Sequence, residues 1–259
     1  MKGKVALITG CTSGIGLGIA EHLASQGADI ILNGLGDPEK ISSIRNDIEN
    51  KYQVRAKYFD ADMAVASSIE SMMDQVIAEF GKVDILVNNA GIQHVSPVED
   101  FPNDKWESII RIDLIAAFYT TKKVVPIMKQ NNWGRIINIA SAHALVASPF
   151  KSAYVAAKHG LLGMTKSVAL EVAENNITVN AICPGYVKTP LVLGQIADTA
   201  KARSMTENEV IRNVILGSQA TKKFVEIGQI AEFVGFLCSD AASSITGAAL
   251  PIDGGWTAH

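Results

Sequence analysis

The sequence predicts an α/β fold in which a parallel sheet is covered by helices on both faces. Three observations predict it. Short apolar and β-branched runs alternate with longer stretches of helical spacing, a glycine-rich turn follows directly on the first run, and no repeat or Pro/Gly-rich linker interrupts the 259 residues. One domain spanning residues 1–259 is expected.

The first strand is the continuous apolar run KVALIT at 4–9, the pattern of a strand buried on both faces. Helical spacing runs from about 14 to 26, and ADIILN at 28–33 reads as the second strand. The alternation repeats with helix 38–52, strand 54–60, helix 65–80 and strand 83–88. One long helical region is expected over 102–130, then strand 134–140 (GRIINIA), helix 151–175 and strand 177–182 (ITVNAI). Segment 186–223 is less regular and partly helical, and its place after a late strand predicts a helical lid over a site. Helix 226–239 and a short strand at 248–252 close the chain.

Hydrophobic residues make up 48% and charged residues 19%, which suits a chain that buries a core. The net charge of −3 supplies no field for nucleic acid or an anionic membrane, so neither partner is expected. No apolar run approaches the roughly 20 residues that span a bilayer. The run after Lys2 and Lys4 is too short for a signal-peptide core. Cys11, Cys183 and Cys238 form no CxxC or metal spacing, so a reducing cytoplasm and no metal are expected.

The first strand leads into TGCTSGIGLGIA, with glycines at 10, 14 and 16. Glycines at a strand-to-helix junction let the backbone turn tightly beside a pyrophosphate facing the helix N-terminus. The second strand ends in NGLGDPEK at 33–40, with no basic residue before Lys40 to clamp a 2′-phosphate and with Asp37 late for a ribose contact. That pattern favours NAD over NADP. Tyr154 and Lys158 stand four residues apart, so a helix places both on one face. An ammonium beside a phenol favours the phenolate and is expected to lower its pKa. Ser141, at the end of the preceding strand, is placed to hydrogen-bond a reacting oxygen.

TGxxxGIG, Asp62 after the third strand, NNAG at 88–91, Ser141, Tyr154-xxx-Lys158, PG at 184–185 and IDGGW at 252–256 together resemble the short-chain dehydrogenase/reductase family across the whole chain. The resemblance implies a Rossmann-type doubly wound sheet of seven parallel strands and, usually, a homotetramer. It implies that Tyr154 is the general acid/base, that Ser141 holds the substrate oxygen, and that Lys158 binds the nicotinamide ribose and depresses the tyrosine pKa. The turn residues Gly10, Thr12, Ser13, Gly14, Ile15 and Gly16 are implied as cofactor ligands, with Leu35, Asp62, Met63, Asn89 and Gly91 on the adenosine side. Pro184, Gly185, Val187 and Thr189 are implied at the nicotinamide end. One position departs from the family pattern: Asp113 stands where an asparagine usually supports a water-linked proton path. Either that relay works in altered form or its pH dependence differs.

Gln93, His143 and Lys151 all follow C-terminal strand ends, where open α/β sheets bind ligands. A lysine with two further hydrogen-bonding side chains suits a small carboxylate substrate. Together with Gln195 and Trp256 they resemble the carboxylate-binding set of a subgroup of the family, the bacterial dehydrogenases of D-3-hydroxybutyrate. That likeness implies NAD-dependent interconversion of (R)-3-hydroxybutyrate and acetoacetate. The alternatives are an NADPH-dependent 3-oxoacyl-thioester reductase of the same fold and a cofactor-binding regulatory protein without catalysis.

Overall fold

Alternation along the first strand builds two cores at once. In β1 (Val5–Ile8), Ala6 and Ile8 join one apolar cluster while Val5 and Leu7 join another on the opposite face. The computed structural model describes residues 1–258, except the side chains of Leu191, Gln195, Asp198, Thr199, Ala202 and Arg203. The first cluster is completed by α1 (Gly14–Ser25) and α9 (Ile227–Leu237), with Ile48 of α2 (Pro38–Tyr52). The second is completed by α3 (Ala66–Phe80), α5 (Ala116–Gln130) and α6 (Ser152–Val172).

The remaining strands are β2 (Asp29–Leu32), β3 (Ala56–Tyr58), β4 (Ile85–Asn88), β5 (Gly134–Ile139), β6 (Ile177–Pro184) and β7 (Ala249–Ile252). They form one seven-stranded sheet in the order β3-β2-β1-β4-β5-β6-β7, with every pairing parallel. This is the Rossmann-type architecture expected. The order reverses between β1 and β4, which opens a crevice at the strands' C-terminal ends. Among the described residues, no helix is long and apolar enough to cross a membrane.

The helix expected over 102–130 is not continuous. α4 (Asn103–Ile110) widens into a π-helical turn at Arg111–Ile115 before α5 begins. The widening turns Asp113 inward, where it is 2% exposed and accepts a hydrogen bond from the Ile92 amide at 2.8 Å. The third strand is shorter than expected and the sixth runs two residues further, to Pro184.

Segment 186–223 folds as α7 (Pro190–Arg203) and α8 (Glu207–Glu209), the latter opening into a wide turn at Val210–Ile215. Thr189 caps α7 through the Val192 amide. Ile196, Ala200, Val210, Ile215 and Leu216 give this segment an apolar cluster of its own, against which Tyr186 and Val192 pack.

Candidate active site

The turn after β1 is held from the side. The Asn89 amide donates to the carbonyls of Thr9 and Gly10, both at 2.9 Å, and Thr9 Oγ1 accepts from the amides of Asn89 and Ala90. Gly10 has φ +62°, and a Cβ there would lie 2.8 Å from Ala90 Cα. A Cβ at Gly16 would lie 2.5 Å from Asn89 Nδ2 and 2.6 Å from the Gly10 carbonyl. Only glycine lets α1 sit this close to the turn. The Ser13 side chain does not cap α1, so the first-turn amides stay open toward the crevice.

Gly16 packs the helix onto the turn, and Asn89 lines the crevice while its side chain clamps that turn. Gly91 lines the crevice too, and a Cβ on it would lie 2.8 Å from Asp113 Oδ2 and 3.5 Å from Lys158 Nζ, so it borders the catalytic end.

The crevice is a continuous cleft of about 530 Å³. At one end Thr12, Ser13, Gly14, Ile15, Leu35, Asp62 and Met63 line it as expected, joined by Asn33. Thr12 Oγ1 donates to the Leu35 carbonyl at 2.7 Å, and Asn33 Nδ2 donates to the carbonyls of Phe59 and Ala61. Asp37 instead caps α2 by accepting from the Glu39 amide at 2.8 Å. Among the described residues lining the cleft, the only cations are Lys151 and Lys158, both at the other end.

There, α6 presents Tyr154 and Lys158 on one face, with Ser141 beyond the end of β5. Lys158 Nζ lies 3.2 Å from Asp113 Oδ2 and donates to the Ile139 carbonyl at 3.1 Å. Burial pushes the Lys158 pKa down, but Asp113, followed by Tyr154, more than reverses this and leaves it raised. Burial raises the Asp113 pKa against the pull of Lys158.

Tyr154 corrects the expectation drawn from its spacing to Lys158. Burial of its hydroxyl raises the pKa first; Lys158 pulls it down, Asp113 pushes it up, and a hydrogen bond with Ser141 pulls it down. The balance is a raised value, so the ligand-free chain carries a neutral phenol at pH 7. Behind the ion pair, Thr9, Asn88, Asp113 and Lys158 line a cavity of about 10 Å³, at the lower limit for a single water.

Gln93, His143, Lys151 and Trp256 gather at this end, as the sequence predicts. Lys151 Nζ lies 3.4 Å from His143 Nε2. An ammonium only donates, so Nε2 accepts and the ring proton sits on Nδ1, which is buried without a partner. Burial, then Lys151 and His159, lowers the His143 pKa to about 4. Burial also lowers that of Lys151, and among the described residues no carboxylate lies within ion-pair distance of it.

The Trp256 ring meets His143 edge-on at 4.9 Å and stacks on Tyr186 at 5.7 Å and 5°. Phe150, just before Lys151, adopts φ +67°, and its carbonyl accepts from the Ser96 amide at 2.9 Å, tying the loop after Gln93 to the entrance of α6. Pro184, Gly185, Val187 and Thr189 line the wall opposite. Gln195 lies on α7, and its side chain is outside the described residues.

Sequence reasoning missed Tyr186 as a wall and Gln219 as a support. Tyr186 stands inside the PGYVKT stretch and was within reach of the motif. Gln219 is fully buried, and its Oε1 accepts from the Tyr186 amide while its Nε2 donates to the Lys223 carbonyl at 2.6 Å. No local pattern signals such a long-range brace.

Residues 4–199 match the family described as short chain dehydrogenase. The chain is 54% identical over 256 residues, 99% of each chain, to D-beta-hydroxybutyrate dehydrogenase of Rhizobium meliloti. It is 50% identical over 260 residues, all of both chains, to the protein of the same name from Cupriavidus necator. Among solved structures, L-sorbose reductase from Gluconobacter frateurii, complexed with NADPH and L-sorbose, superimposes with a TM-score of 0.92 at 32% identity, covering 98% of this chain and 96% of that one.

Proposed function

For a chain that belongs to the short chain dehydrogenase family, we propose NAD-dependent interconversion of D-3-hydroxybutyrate and acetoacetate. The observation that carries this reading is Lys151, a partly buried cation without a carboxylate among the described residues, set beside the neutral His143 in the same cleft as Tyr154. A small acid whose carboxylate completes that pair brings its hydroxyl to Ser141 and Tyr154.

The residues fit a nicotinamide dinucleotide. Gly10 and Gly16 leave no room for a Cβ at the turn, and the open amides of α1 face the space where a pyrophosphate would lie. The neutral end at Asn33, Gly34 and Leu35 supports NAD, because a 2′-phosphate would meet no cation there. When bound, that cofactor accepts or returns the hydride at C3. Tyr154 exchanges the proton of the substrate oxygen, and Ser141 holds that oxygen by hydrogen bonding. Lys158 keeps a positive charge beneath them. Gln93, His143 and Lys151 fix the carboxylate so that C3 is oriented, and the Tyr186–Trp256 stack forms the wall beside them.

In the reduction direction the neutral phenol is already in the form that gives a proton. Oxidation requires its anion and is expected to speed up as pH rises. The reading includes a homotetramer, supported by exposed Phe118 and Leu170 on α5 and α6, and a cytoplasmic setting, supported by three free cysteines.

One assay tests the proposal: NADH formation from D-3-hydroxybutyrate with NAD, against NADP as the alternative cofactor. Turnover with preference for NAD is expected. Turnover of 3-oxoacyl thioesters with NADPH alone would replace this reading with the thioester reductase.

A further inference from the structure

We propose that Asp113 is a positioning residue that holds Lys158 as its own counter-ion, drawing the ammonium's charge away from Tyr154 and moving the reaction to higher pH. The inference rests on the reading of Tyr154 as the acid/base group.

The geometry sets Asp113 directly against Lys158. The π-helical turn at Arg111–Ile115 directs it inward, and its Oδ1 is fixed by the Ile92 amide at 2.8 Å. Its Oδ2 faces Lys158 Nζ at 3.2 Å, with side-chain exposures of 4% for the lysine and 0% for the aspartate. Gly91 presses on the pair so closely that even a methyl group would touch Oδ2. Lys158 Nζ also donates to the Ile139 carbonyl, and it lies 5.4 Å from the centre of the Tyr154 ring. A cation alone at that distance stabilises a phenolate. A cation bound to an anion presents a dipole, whose field falls off faster.

The other groups facing Tyr154 do not replace the lost charge. Ser141, after β5, hydrogen-bonds the phenol and favours its anion. His143, whose ring meets that of Tyr154 edge-on at 6.1 Å, is neutral, with its pKa lowered to about 4. Lys151, at the start of α6, is turned to His143 and Tyr186. Tyr186, after β6, is itself pushed up by burial and by Tyr154. Cys183 of β6, pushed up by burial to about 11, stays a neutral thiol. From α4, Ile109 packs in the same apolar cluster and brings no charge. Asp62, the only other carboxylate lining the cleft among the described residues, lies at the adenosine end.

An asparagine at 113 keeps an acceptor for the Ile92 amide and removes the anion. The sign follows for both partners. Asp113 raises Tyr154 and raises Lys158, so its neutralisation lowers both. In the Asp113→Asn enzyme, the acid and alkaline limbs of the kcat/KM profile for oxidation are expected to move together toward lower pH, the acid limb by about one unit or more. A residue that served packing alone would lower the rate without moving the limbs.

A second readout needs no turnover: ultraviolet difference titration of tyrosinate in the ligand-free protein, with the Tyr154→Phe protein subtracted to isolate one phenol. The Tyr154 midpoint is expected to fall in Asp113→Asn. Asp113→Ser serves the same titration where the asparagine variant does not fold. A midpoint that stays in place or rises overturns the inference. A lowered midpoint in a wild-type chain that does not oxidise D-3-hydroxybutyrate supports this inference and removes the proposed substrate instead.

Discussion

Lys151 stands at the N-cap of α6 and Lys158 about two turns further along it, and the protein treats them in opposite ways. Lys158 is fully enclosed and bound to Asp113, while Lys151 is partly buried against a neutral imidazole with no anion beside it among the described residues. The first charge is balanced within the fold. The second is left for something to balance, and burial already works against it. A cation placed this way is suited to recognition, because an incoming carboxylate relieves a cost already present in the free protein.

The contrast breaks most sharply if Lys158 is replaced. Lys158→Met leaves Asp113 buried without its partner, and a loss of about 3–5 kcal/mol in urea unfolding is expected. Equal stability of the variant and the parent would mean that the pair is not balanced as described. Lys151→Met is expected to leave stability unchanged or higher, while kcat/KM for the hydroxy acid falls by about 10- to 100-fold. NAD affinity, measured by fluorescence titration, should stay at the parent level, and an equal loss there would place Lys151 on the cofactor.

The smallest effect concerns His143, the neutral neighbour that keeps Lys151 available. Its folded pKa, about 4, lies below the unfolded value near 6.5, so the unfolded chain binds the proton more readily between those limits. Stability therefore falls as pH drops through that window, by about 1 kcal/mol between pH 7 and about pH 5.5. His143→Gln should lose that part of the slope in unfolding curves taken at the two pH values. An unchanged slope would show that the imidazole does not stay neutral in the folded chain.

The sheet, the glycine turn and the triad of Ser141, Tyr154 and Lys158 were legible because each is a local pattern. Period decides strand or helix, and fixed spacing decides which side chains share a face. The break in the helix at Arg111–Ile115 was not legible, since the residues around Asp113 have ordinary helical spacing and the partner that Asp113 meets lies on another element. For the same reason the direction of the Tyr154 shift was misread. Its distance to Lys158 follows from sequence, but the anion that occupies Lys158 comes from another element. Asn89 and Gly91 were rightly drawn to the crevice, yet their particular tasks depend on partners about 80 residues and about 20 residues away.

The hydrogen bond from the Ser96 amide to the Phe150 carbonyl has a consequence for redesign. It joins the loop that delivers Gln93 to the segment that delivers Lys151, and Phe150 holds its end in a left-handed conformation that a bulky side chain rarely adopts. The loop after Gln93 and the segment before Lys151 are therefore tied to each other directly. Enlarging the cleft for a longer or branched acid is better begun at the aromatic wall of Tyr186 and Trp256, which can be trimmed residue by residue, than at a hinge whose two arms share one latch.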